Sequence, residues 1–258
     1  TGSRLGSYYN IDMASILETG YFTPLDGRLR GIVDFLQRRG GYLMGLLRSY
    51  NNERGRWGGD GWNDLYAWGY NLALLWLEQV DHYVVSFFAR LGLSLARGTY
   101  VGAEVLTLEP LETDGLRMGQ PPNTAYNGIV LHSLRHMFVH EESSDYGLFP
   151  DTLKLCWATP RRWLAQGGFR AEQLPTPFGV VSLAVTRRGD EVEADLFVPE
   201  DPALERLFLR LRLPKGEAWG AVTVNGAPWS RFDAKGEWIA LSDLAGRIRV
   251  RVAVSRES

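Results

Sequence analysis

The segment RIRVRVAV, Arg247 to Val254, alternates charge and hydrocarbon along most of its length. Successive side chains of an extended strand point to opposite faces. Ile248, Val250 and Val252 therefore fall on one face, and Arg247, Arg249 and Arg251 on the other. That pattern predicts a strand with one side in a core and the other in water. Upstream, GVVSLAVTRR (179–188), EVEADLFVP (191–199), RLFLRLRLP (206–214), AVTVNG (221–226) and EWIALSD (237–243) are short segments of the same kind. Gly, Pro, Asn and Asp turn signals separate them at intervals of about ten residues, the pattern of an antiparallel β-sandwich. Asn225-Gly226 is a hairpin signal, because both positions tolerate positive φ.

Before about residue 165 the period is helical. DGRLRGIVDFLQRRG (26–40) spaces Leu29, Ile32, Val33 and Leu36 for one helix face, with Asp26 as N-cap and Arg38 and Arg39 at the C-terminal end. NDLYAWGYNLALLWLEQV (63–80) is apolar nearly all round, and HYVVSFFARLGLSLA (82–96) follows at once, which predicts a buried antiparallel helical hairpin. SYYNIDMASILETG (7–20) and NTAYNGIVLHSLRHMFVHEE (123–142) complete the helical reading. The expected fold is α+β in two segments: helical hairpins over 1–165 and a β-sandwich over 166–258.

Composition narrows the function classes. The net charge of −2 gives no electrostatic footprint for nucleic acid or an anionic membrane. Cys156 is the only cysteine, which excludes an intrachain disulfide and a Cys-based zinc site. That cysteine count and the absence of a secretory signal pattern suggest a cytoplasmic location. No phosphate loop, dinucleotide fingerprint or nucleophile elbow is present, and the expectation is no cofactor.

Two stretches mix the residue types that sugars require. NNERGRWGGDGWNDLYAWGY (51–70) displays Trp57, Trp62, Asp60 and Asp64 from a Gly-rich loop and runs on to Tyr66 and Tyr70. Aromatic rings accept the C–H faces of sugars, and carboxylates accept hydrogen bonds from hydroxyls. The plainer alternative is tryptophans packed on a core and aspartates capping a helix. RGTYVGAEV (97–105) follows a long apolar stretch and sets Glu104 beside Tyr100 and two glycines. A carboxyl in a partly apolar pocket keeps its proton and acts as a general acid, while a hydrated one stays ionised as base or nucleophile. Glu104 is the candidate acid, and Asp64, Asp12 and Glu18 are candidate partners. The alternative for Glu104 is a solvated turn residue or an ion pair with Arg97.

His132, His136 and His140 recur every four residues and would share one helix stripe, drifting by ~40° per step. The outer two lie ~12 Å apart along such a helix, too far for one ion to hold all three. No metal is expected, and His136 reads as polar lining or as an interfacial histidine. PPNTAYNG (121–128) places Asn123 or Thr124 as an N-cap, with Tyr126 and Asn127 in the first turn.

In order, YYNIDMASILETGYF, GWNDLYAWGY, ARGTYVGAEV, PPNTAYNGIVLHSLRHMFVHEE, CWATPRRWL, PTPFGVVSLAV and VTVNGAPW resemble the (α/α)6-toroid, or six-hairpin, glycosidases, including the α-rhamnosidase-like ones. The resemblance implies acidic residues in a toroid cavity and a β-domain after it. A full toroid needs twelve helices, and about five or six are expected here. The resemblance thus implies the C-terminal half of a toroid plus the β-domain, completed by another segment or a second subunit. It also implies a carbohydrate partner, with glycosidic bonds cleaved by paired carboxylates. Tyr9, Trp57, Trp62, Tyr66, Tyr70, Arg97, Tyr126, Asn127 and His136 would line sugar subsites. Two alternatives remain: a non-catalytic carbohydrate-binding or assembly module, and a polysaccharide lyase using a Tyr or His base.

Overall fold

The computed structural model describes residues 13–19, 21–51, 59–107, 118–119, 121–145 and 149–256. Contacts divide the chain into two units, Thr1–Leu134 and Arg135–Ser258. Helices and antiparallel sheets are both present, as expected for α+β. Among the described residues, no helix is long and apolar enough to cross a membrane.

In the first unit, helix α1 (Gly27–Arg38) starts where the Asp26 carboxylate accepts the Arg28 N–H at 2.9 Å. Leu29, Val33 and Leu36 are buried at helical spacing, and Ile32 is half-buried. Helix α2 (Trp68–Trp76) buries Gly69, Tyr70, Asn71, Ala73, Leu74 and Leu75, so it is enclosed on several sides, as its unbroken hydrophobicity predicts. Residues 77–79 connect it to α3 (Val80–Ala89), and the chain then widens into a π turn over Arg90–Ser94. A short 3₁₀ turn, Asp64–Tyr66, precedes α2, and another spans Ile16–Thr19. Helix α4 (Thr124–Phe138) begins at Asn123, whose side-chain oxygen accepts the Tyr126 N–H at 2.9 Å.

This half is not purely helical. Strands β1 (Tyr42–Leu43), β2 (Leu46–Asn51), β3 (Gly59–Trp62), β4 (Val105–Thr107) and β5 (Met118–Gly119) form a sheet in sequence order. All of its pairings are antiparallel. Strands of two to six residues, several of them Gly-rich, are too short to show a period of two, so sequence pattern missed them.

The second unit contains strands β6 (Val139–Glu142), β7 (Thr152–Leu155), helix α5 (Arg161–Ala165), β8 (Gly168–Thr176), β9 (Gly179–Arg188), β10 (Glu191–Val198) and β11 (Arg206–Arg210). It continues with β12 (Glu217–Val224), β13 (Ala227–Pro228), β14 (Phe232–Asp233), β15 (Trp238–Ala240) and β16 (Gly246–Arg256). One sheet has the order β13-β12-β16-β10-β9-β8, the other β14-β15-β11-β7-β6, with β11 and β7 parallel. RIRVRVAV lies in β16, between β12 and β10. Ile248, Val250 and Val252 are at most 1% exposed, and the three arginines are exposed.

Alternate residues of both sheets meet in one apolar core, including Val192, Leu196 and Val250 from the first and Leu153, Leu207 and Ile239 from the second. Strands β6 and β7 join this unit because β7 pairs with β11. The contact boundary thus falls before β6, ahead of the change of period near residue 165. The β12–β13 turn holds Asn225 at φ 50° and Gly226 at φ 84°, the positive-φ pair that the Asn-Gly signal predicts.

Candidate functional site

The RGTY quartet is the tip of a hairpin. Leu95 bridges to Gly102, Ala96 N–H donates to the Val101 carbonyl at 2.9 Å, and Tyr100 N–H donates to the Ala96 carbonyl at 2.8 Å. Arg97 and Tyr100 are exposed on this tip. The tip is tied to α4 by Asn127 Nδ2, which donates to the Tyr100 carbonyl at 3.2 Å. A Cβ on residue 102 would stand 2.3 Å from Asn127 Oδ1 and 2.7 Å from Tyr126 Cδ1, so close backbone approach requires Gly102.

The returning strand brings Glu104 into a half-buried position at the head of β4, its N–H bonded to the Gly119 carbonyl at 3.0 Å. Its Oε1 accepts the Tyr66 hydroxyl at 3.4 Å, a long hydrogen bond between two residues 38 apart in sequence. Glu104 and Tyr66, expected separately as acid and subsite residue, are thus brought together by the fold. No ion pair between Glu104 and Arg97 is present among the described residues.

The same 3₁₀ turn sends Asp64 the other way. Asp64 and Arg90 side chains are both 0% exposed, with Arg90 Nε 2.5 Å from Asp64 Oδ2. Asp64 Oδ1 accepts the Leu47 N–H at 2.8 Å. Arg90 also donates to Asn71 Oδ1 at 3.0 Å and Ser133 Oγ at 3.4 Å. Burial raises the Asp64 carboxyl above its ordinary pKa, with Arg90 and the Leu47 N–H pulling the other way. The role of base or nucleophile expected of Asp64 does not fit this position. A base acting on a sugar must reach it, and both oxygens of Asp64 are enclosed and bonded to the fold.

Three of the expected sugar-lining aromatics are also interior. Trp62 is 6% exposed, and its indole N–H donates to the Leu43 carbonyl at 2.9 Å. Tyr70 is 2% exposed, stacks on Tyr42 with centroids 3.8 Å apart, and receives Gln37 Nε2 at 3.0 Å. Tyr126 is 1% exposed, and burial pushes its hydroxyl pKa up. These rings pack the core, as the plainer alternative had it for the tryptophans. Asp12, Tyr9 and Trp57 lie outside the described residues, as does the side chain of Glu18, whose backbone is in the first 3₁₀ turn.

The histidine stripe is interrupted. Helix α4 ends at Phe138, and His140 sits in β6 because Val139–Glu142 pairs with β7. His132 is exposed, edge-on to Trp68 at 4.1 Å. Buried His136 and His140 meet through their Nδ1 atoms at 3.1 Å. His140 Nε2 lies 3.0 Å from Glu142 Oε1, and Lys154 Nζ is 2.7 Å from Glu142 Oε2. Among the described residues, no group of three His, Cys, Asp or Glu side chains is placed to hold a metal ion.

Sequence reading missed Arg90 and the Glu142–Lys154 pair. The available signal was an arginine inside the apolar run HYVVSFFARLGLSLA, since a charge in such a run needs a partner.

No family model matches the chain, and no curated protein matches it. Solved structures that it resembles include an α-L-rhamnosidase from Dictyoglumus thermophilum, at TM-score 0.34 and 12% identity over 67% of this chain and 20% of that one. Another is a glycoside hydrolase, at TM-score 0.32 and 15% identity over 74% of this chain and 33% of that one. The chain thus spans about a fifth and a third of those two proteins.

Two predictions follow from the buried clusters. Breaking the Asp64–Arg90 pair strands a buried charge, so Arg90→Met alone should lose about 3–5 kcal/mol in chemical denaturation. The Asp64→Leu/Arg90→Met double variant should lose less than the two single variants summed; additive losses would disprove the coupling.

The second concerns Glu142. Burial pushes this carboxyl up, but His140 and Lys154 outweigh it and hold the pKa down at about 2. A folded-state pKa below the unfolded one stabilises the fold fully above about pH 4.5, and the gain disappears as pH falls toward 2. Glu142→Gln should therefore cost roughly 3 kcal/mol at pH 7 and much less near pH 2, read from urea midpoints at both pH values.

Proposed function

We propose that the chain is the Glu104-bearing part of a glycoside hydrolase, with Glu104 as general acid positioned by Tyr66. The observation that carries this reading is the Tyr66–Glu104 hydrogen bond. A half-buried carboxyl held in place by a neighbouring hydroxyl is positioned to pass a proton to a glycosidic oxygen. A second carboxylate then either takes a proton from the water that adds at the anomeric carbon, or adds there itself and is displaced by water. Asp12 and Glu18 are the assigned candidates for that second carboxylate, Asp64 being engaged by Arg90. Arg97, Tyr100 and Asn127 stand on or beside the hairpin that carries Glu104 and are its proposed substrate contacts.

A second reading is favoured by one observation. The removal of Asp64 from solvent leaves no second carboxylate identified beside Glu104 among the described residues, which suits a non-catalytic carbohydrate-binding module. The lyase alternative is weakened, because the hydroxyl of Tyr126 is buried with its pKa raised and His136 is buried against His140.

Assay on polysaccharides and aryl glycosides separates the readings. Glu104→Gln should lower turnover by about 10²–10⁴-fold with the fold intact. Tyr66→Phe should lower kcat more than it changes KM. Wild-type turnover in Glu104→Gln would remove the assignment, and saccharide binding without turnover in the wild type would establish the module instead.

A further inference from the structure

The six-stranded sheet of the second unit carries a trough of about 610 Å³, within the range of about 300–1,000 Å³ found for small-ligand sites. A second hollow of about 380 Å³ adjoins it, sharing Asn225 and Arg249. Its lining includes the residues of β9, β10 and β16 that point away from the apolar core, with Arg170 and Glu172 of β8 and Asn225 at its edges. Cross-strand register makes two rows of them: Ser182, Phe197, Arg247 and Ala184, Asp195, Arg249.

Phe197 breaks the pattern of its own strand. The residues preceding it on that face are Glu191, Glu193 and Asp195, and period alone would put another polar group at 197. Instead a ring stands 46% exposed, with only small Ser182 opposite it on β9. On its other side is exposed Arg247, which has no ion pair or hydrogen bond among the described residues. Its neighbour in the next row differs: Arg249 Nε is 2.8 Å from Asp195 Oδ1. Asn225 Oδ1 accepts the Arg249 N–H at 2.9 Å, which fixes the amide at the trough edge and leaves Nδ2 as a donor.

We propose that this trough binds an acidic saccharide, one ring lying on Phe197 and its carboxylate meeting Arg247. A sugar ring offers an apolar C–H face to an aromatic and hydroxyls to amides. A uronate adds the carboxylate that a planar guanidinium holds in two hydrogen bonds. Nucleic acid fits poorly, because Asp195 and Glu172 interrupt the cations that a phosphate backbone needs in series. The proposal shares the carbohydrate class with the reading of Glu104 but none of its residues.

The test is calorimetric titration of the whole chain with a galacturonic-acid oligomer and with a neutral galactose oligomer of equal length. Wild type should prefer the acidic oligomer. Arg247→Gln should abolish that preference while leaving the neutral affinity unchanged. Phe197→Ser should weaken both by about tenfold. Both positions face solvent, so thermal midpoints should match the wild type, and a variant that melts early is replaced by Arg247→Lys or Phe197→Leu. Repeating the titrations in a Glu104→Gln background should give the same dependence on Phe197 and Arg247, which keeps a failure here separate from a failure of the catalytic assignment. Three results would overturn the proposal: no binding of the acidic oligomer, wild-type affinity in the Phe197 and Arg247 variants, or competition by inorganic sulfate at concentrations equal to the oligomer.

Discussion

The first unit depends on the enclosed contact between Asp64 and Arg90. Taking a carboxylate and a guanidinium out of water costs several kcal/mol for each ion, and only close contact with satisfied hydrogen bonds offsets it. Here the pair draws on five separate pieces of chain. Leu47 belongs to β2, Asp64 to a 3₁₀ turn, Asn71 to α2, Arg90 to a π turn and Ser133 to α4. Tyr83 adds a bond from its hydroxyl to the Ser133 carbonyl at 2.8 Å. A misplaced element would leave a charge without its partner, so the cluster specifies one arrangement of sheet and helices. The π turn fits this role, since it alters the helical spacing at the residue that must reach inward.

The pair also explains how a short turn can serve fold and site together. Asp64 and Tyr66 are two residues apart on the 3₁₀ turn. With Asp64 anchored to Arg90 and Leu47, Tyr66 is presented to Glu104. The glycines of RGTYVGAEV then take on a structural meaning. Gly102 makes room for Tyr126 and Asn127 of α4.

Much of the second unit was legible in the sequence, because the signal there is local and strong. Alternation in EVEADLF and RIRVRVAV places every second side chain in the core, and the Asn-Gly turn adopts the backbone its composition favours. The five-stranded sheet of the first unit was not legible. Its pairing is set by partners distant in sequence, as when Gly61 and Trp62 meet Thr107 and Leu106, and strands of two to six residues display little of a period. The site was half legible for a related reason. Residue type marks a carboxylate or an aromatic as able to do chemistry, but only packing decides whether it faces water. Trp62, Tyr70, Tyr126 and Asp64 have the composition of a sugar site and the burial of a core.

The environments of Asp64, Glu142 and Glu104 differ in the charge of their partners. Asp64 faces a guanidinium, and Glu142 faces a histidine and a lysine. Each is engaged by groups that the fold holds in place. Glu104 faces a phenol, a neutral partner that can donate to the carboxylate or accept from the carboxylic acid without fixing its charge. The same contrast recurs among the arginines of the six-stranded sheet. Arg249 and Arg251 are matched by Asp195 and Glu193, while Arg247 stands beside the exposed ring of Phe197 with no acid opposite it. A charge already matched by its neighbours gains little from a ligand, whereas an unmatched one retains its capacity to bind. On that ground Glu104 and Arg247, and not the more numerous paired residues, are the positions proposed to meet other molecules.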